Sequence, residues 1–175
     1  VTISHDGLNT AATVSLDGAA YLTLKNFTIE NTGISNAYGV LFTNSANYNT
    51  IENNNITVPV STTLTNVVGV LASASNSSSV GGSTEGDNAN WNLVKGNDIM
   101  GGVSAVIFEG GVSDLENTGN QIVDNNIHDA YSYGIYADEQ DSFVISGNTI
   151  YDITATTSDA MMLYDIHNFS ILAND

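Results

Sequence analysis

A six-residue phrase recurs along the chain: an apolar residue, any residue, a small or turn-forming residue, Asn, any residue, Ile. It reads Ile51-Glu52-Asn53-Asn54-Asn55-Ile56, Val94-Lys95-Gly96-Asn97-Asp98-Ile99, Ile122-Val123-Asp124-Asn125-Asn126-Ile127 and Ile145-Ser146-Gly147-Asn148-Thr149-Ile150. Leu24-Lys25-Asn26-Phe27-Thr28-Ile29 carries Phe in place of Asn, and Ile171-Leu172-Ala173-Asn174-Asp175 stops one residue short. Upstream of each copy stands a small residue followed by alternating apolar ones, as in Gly39-Val40-Leu41-Phe42, Gly69-Val70-Leu71-Ala72, Ala105-Val106-Ile107-Phe108, Gly134-Ile135-Tyr136-Ala137 and Ala160-Met161-Met162-Leu163; Thr13-Val14-Ser15-Leu16 is a looser copy. Alternation puts one set of side chains on a single strand face. The phrase itself makes two very short strands around a turn, because Gly, Asn or Asp at its third position tolerates a left-handed backbone.

Repeats of this period make solenoids, propellers or arrays. No stretch shows helical periodicity, and three short strands per repeat are too few for a propeller blade. The remaining solution stacks coil on coil in parallel, with Val14, Val40, Val70, Val106, Ile135 and Met161 as one inward file and Asn above Asn as a ladder. Over most of 13–175 the chain resembles the right-handed parallel β-helix repeats of the pectate-lyase-like superfamily. The expected fold is therefore all-β: a solenoid of about six coils, each of three short strands with an Asn-bearing turn. At ~4.8 Å per coil this is a rod ~30 Å long. The chain reads as a single β-helix segment, 1–175, truncated at both ends. Long spacings between the first strand and the Asn phrase mark insertions at 75–90 and 110–120.

Charge narrows the function. There are 19 acidic residues against two lysines, Lys25 and Lys95, no Arg, and a net charge of −17. Phosphate backbones need Lys and Arg, so no nucleic acid is expected as partner, nor an anionic membrane surface. No apolar run is long enough for membrane insertion. Enzymes of the resembled family that cleave polyuronates need basic residues beside their carboxylates, and the first-strand positions hold none. Absence of Cys rules out disulfides and thiolate chemistry.

The resemblance implies that the first sheet and its flanking loops carry any substrate. Glu109 and Asp138 fall on successive coils of that sheet, about one strand spacing apart, which suits an acid–base or nucleophile pair on a glycoside. His128, followed by Asp129, is a third catalytic candidate. Tyr136, Tyr164, Tyr131, Tyr133 and Tyr151 are candidates for stacking on sugar rings. Asp138, Glu139, Asp141, Glu85 and Asp87 are candidate metal ligands, and calcium is the cofactor such acids suggest. The competing reading makes all of these a solvated acidic surface and an aromatic ladder. Four acceptor tripeptides for N-glycosylation occur, at Asn26, Asn55, Asn76 and Asn168, of which only Asn76 is expected to be accessible. Taken together the sequence predicts a non-catalytic segment of an extracellular or cell-surface protein, an adhesin, stalk or fibre that contacts a polysaccharide or cell-surface glycan or self-associates end to end. The alternative is a fragment of a carbohydrate-active enzyme, a hydrolase or lyase.

Overall fold

Among the described residues, every strand pairs in parallel with a strand one coil away. A computed structural model describes residues 1–6, 11–33, 36–60, 66–73, 89–111 and 116–175. It opens with β1 (Thr2–His5). Rung one follows as β2 (Ala11–Asp17), β3 (Thr23–Lys25) and β4 (Thr28–Asn31), and rung two as β5 (Ala37–Thr43), β6 (Thr50–Glu52) and β7 (Asn55–Thr57). Rung three comprises β8 (Val67–Ala72), β9 (Leu93–Lys95) and β10 (Asp98–Met100). Rung four comprises β11 (Ser104–Glu109), β12 (Asn117–Thr118), β13 (Gln121–Val123) and β14 (Asn126–His128). Rung five comprises β15 (Tyr133–Asp141), β16 (Val144–Ser146) and β17 (Thr149–Tyr151). Rung six contributes β18 (Asp159–His167) and β19 (Ser170–Leu172).

Three sheets result. The long-strand sheet runs β2, β5, β8, β11, β15, β18; the pre-turn sheet β3, β6, β9, β13, β16, β19; the post-turn sheet β1, β4, β7, β10, β14, β17. About five turns are stacked, and each sheet holds six rungs. The first strand of a coil is longer than expected, nine residues in β15 and β18, whereas the strands around the turn phrase have three or four. The short β12 adds to the end of β15, pairing Asn117 with Gln140 and Thr118 with Asp141. Residues 116–120 of the second expected insertion are thus part of the coil. The first insertion, with Glu85, Asp87 and Asn76, lies almost wholly outside the described residues.

The inward file forms as expected. Val14, Val40, Val70, Val106, Ile135 and Met161 are successive register partners. They share one core with Leu16, Phe42, Phe108, Phe143 and the Ile of each Asn phrase. The small residue that opens the long strand has a steric cause. A Cβ at Gly39 would stand 2.5 Å from Ile56 Cγ2 and from the Gly69 carbonyl oxygen. That approach lets the post-turn Ile reach under the bend.

Two Asn ladders close the corners. In the expected one, the main-chain N–H of Phe27, Asn54, Asn97, Asn125 and Asn148 each donates to the amide oxygen of the next rung's Asn, at 2.9–3.0 Å. Each side-chain amide also donates to a carbonyl of the rung before, as Asn97 does to Ile51. The third position of the phrase is left-handed in all six copies, at Asn26, Asn53, Gly96, Asp124, Gly147 and Ala173. The second ladder, Asn49–Asn92–Asn120, stands two residues before each phrase and repeats the same bonding. Ahead of it Tyr21, Tyr48 and Trp91, all left-handed, stack with ring planes 2° and 4° apart. Gly119 continues that column, its missing Cβ leaving room for the Trp91 ring.

Candidate functional site

On the long-strand sheet, outward positions align in three columns. One passes through Tyr38, Val68, Ser104 and Tyr133, and a second through Leu41, Leu71, Ile107, Tyr136 and Met162. The third pairs Glu109 with Asp138 and Asp138 with Tyr164. Rungs two to four of this face are not open to solvent: Tyr38, Leu41, Val68, Leu71 and Ile107 form a buried outer cluster of their own, with Tyr136 packed at its edge. The apolar outward residues of rungs two and three were the signal, since Leu, Val and Tyr in register on both faces of a strand mean cover on both sides.

The acids at the boundary divide accordingly. Glu109 is 4% exposed, so it is not a solvated surface acid. Its register partner Asp138 is half-buried and accepts a hydrogen bond from the Tyr136 hydroxyl at 3.2 Å. Burial pushes the Tyr136 phenol well above its ordinary range, and the charges of Asp138 and Glu109 add to the effect. The Tyr133 and Tyr136 rings meet at 5.7 Å. Beyond them rung six is open: Met162 is 36% and Tyr164 56% exposed. The structure thus brings Tyr133, Tyr136, Asp138, Met162 and Tyr164 to one surface, with Glu109 behind it.

His128, Tyr131 and Tyr151 belong elsewhere. His128 and Tyr151 are register partners on the post-turn sheet, stacked at 5.0 Å and 8°. The imidazole is held at both nitrogens, Nδ1 against Asp129 at 2.7 Å and Nε2 against Asp98 at 3.3 Å, with its side chain 13% exposed. A base in that setting has neither nitrogen turned to a substrate. Tyr131 lies between β14 and β15, its main-chain N–H bonded to Gly102. It makes no ring contact with the other tyrosines among the described residues.

The candidate metal ligands point to different partners. Asp141 accepts from Asn168 and Ser142, which hold its carboxyl below the usual range. Glu139 has a left-handed backbone, its carboxyl raised by partial burial and by the charges of Asp165, Asp138 and Glu116. Among the described residues no three His, Cys, Asp or Glu side chains converge as a cation requires. The glycosylation expectation is also revised, because Asn26, Asn55 and Asn168 are all exposed.

The fold and register agree with the family comparison, whose model for the right-handed β-helix region matches residues 9–174. The chain belongs to the right-handed β-helix family. Comparison with curated proteins and with solved structures returns no match. In right-handed β-helix terms, the surface just described lies on rungs four to six of the long-strand sheet. The second Asn ladder and the Tyr21–Tyr48–Trp91 stack are the parts the sequence reading missed. Their signal was an Asn two residues before the phrase in rungs two to four, preceded by Tyr, Trp or Gly.

Proposed function

We propose that this chain is a non-catalytic, glycan-contacting segment of an extracellular or cell-surface right-handed β-helix protein. The reading rests on one observation: rungs five and six of the long-strand sheet carry Tyr133, Tyr136 and Tyr164 beside Asp138, with no Lys or Arg among them. Tyrosine rings accept the apolar faces of sugar rings, and a carboxylate accepts hydroxyl hydrogens. With a net charge of −17, neutral glycans are favoured over sulfated or uronate chains. A glycan array with the protein and with Tyr136→Ala and Tyr164→Ala variants tests this. Binding to neutral glycans, lost in both variants, is the expected result; retention of all binding in both variants rejects it.

A second reading is favoured by the unlike surroundings of Glu109 and Asp138. A buried acid beside a half-buried carboxylate is how two carboxyl groups acquire separate acid and base roles. It predicts polysaccharide hydrolysis that Glu109→Gln and Asp138→Asn each abolish. Equal turnover in the parent and both variants eliminates that reading.

A further inference from the structure

A groove of about 420 Å³ lies on the post-turn sheet, remote in register from the tyrosine surface, between rungs one and three. Its floor is one outward column, in which Glu30, Thr57 and Met100 are successive register partners. Its sides are the corner residues Asn31–Thr32 and Val58–Val60. The corner is held from the next rung, where Gly101 and Gly102 come close beneath it. The Gly102 N–H donates to the Pro59 carbonyl at 3.1 Å, and a Cβ on Gly101 would stand 2.0 Å from the Val58 carbonyl oxygen. Rung three turns its corner in residues 101–103, directly beneath Val58 and Pro59 of rung two.

The lining has an uneven chemistry. Pro59, Val60 and Met100 present an apolar surface with Val58 buried behind them, and Val60 is 53% exposed. Asn31 is committed elsewhere, its amide donating to the Tyr38 carbonyl and accepting from the Gly33 N–H. Glu30 differs. Its carboxylate is half-buried in the groove and makes no hydrogen bond or ion pair among the described residues, although its main-chain carbonyl accepts from Thr13. The chain has only two lysines to offer any carboxylate: Lys25 pairs with Glu52, and Lys95 is the register neighbour of the same Glu52 on the pre-turn sheet. A volume of this size is in the range of small-molecule sites, whose usual make-up is apolar walls with one or two fixed polar groups.

We propose that this groove binds a small organic cation: a primary ammonium ion that pairs with Glu30, carried on an apolar body that lies on Pro59, Val60 and Met100. Charge decides the class. A half-buried carboxylate without a partner in a molecule of net charge −17 selects against anions and favours a cation that also brings apolar surface. The Thr57 hydroxyl, on the floor between Glu30 and Met100, is placed to accept a second ammonium hydrogen.

The test uses methionine methyl NMR on the full chain, which has three methionines, with Met100 alone in the groove. Hexylammonium should shift the Met100 methyl saturably and leave Met161 and Met162 unmoved. Hexanol, of the same shape without the charge, should bind about tenfold more weakly, the equivalent of one lost charge contact. Glu30→Gln should weaken hexylammonium to the level of hexanol while retaining the parent's melting midpoint. Val60→Ser tests the wall independently and should weaken both ligands alike. The proposal is overturned by no saturable shift at Met100, by equal binding of hexanol and hexylammonium, or by unchanged affinity in Glu30→Gln. Saturable shifts at all three methionines would mark non-specific adsorption and overturn it equally.

Discussion

Asn97 makes clear what one side chain does in this protein. Its oxygen accepts from the main chain and side chain of Asn54, and its amide donates to Ile51 and to Asn125. All of these groups are buried, so Asn97→Ala leaves several polar atoms without water or partner. The expected loss is about 2–4 kcal/mol, read by urea denaturation. Gly119 is a second sensitive point, for steric reasons. A Cβ there would stand 2.2 Å from the Trp91 ring, at a left-handed φ of 69°. Gly119→Ala is expected to cost about 1–3 kcal/mol and to displace the ring. Trp91 is the single tryptophan, so its fluorescence reports the displacement directly. The Asn phrase was legible because each of its six positions has a distinct demand. Tyr48 and Trp91 were not, because stacking depends on which residues become neighbours once the rungs are in register.

At the scale of the element, β15 joins the two kinds of environment. Its outward Tyr136 and Asp138 are half-buried, whereas its far end carries Glu139 and Asp141, opposite in their acid behaviour. The carboxyl of Asp141 is lowered, so its contribution is present above the ordinary carboxylate range and is lost as pH falls through the folded value. Asn168→Ala should therefore destabilise the protein near neutrality and match the parent in strong acid. The carboxyl of Glu139 is raised, so its relative contribution is present at low pH and is lost as pH rises through the folded value. Glu139→Gln should stabilise the protein near neutrality, and that gain should vanish in acid. Melting curves across pH for the two variants check both signs. The sequence placed these acids in one region but not their partners. Asn168 reaches Asp141 only because rung six lies in register with rung five.

For the whole molecule, stacking order was readable from six inward positions, while the cover over the long-strand sheet was not. Tyr38, Leu41 and Ile107 lie on strands that are apolar on both faces, a pattern that marks cover on both sides without naming what supplies it. That cover turned Glu109 from a solvated acid into a buried one and moved the open surface to rungs five and six. The overall charge has its own consequence. Acidic side chains outnumber basic ones by 19 to two, so self-repulsion opposes the compact state, and added salt screens it. The melting midpoint should rise with sodium chloride concentration, which differential scanning calorimetry measures directly.

Phe27 breaks a polar seam that the other rungs share. In the polar seam through Asn54 to Asn174, every rung hands a proton to an oxygen on the rung after it. At rung one Phe27 still gives its N–H forward but has no oxygen to receive from behind. A benzyl group therefore stands where the other rungs carry an acceptor amide, and the seam is interrupted at that rung.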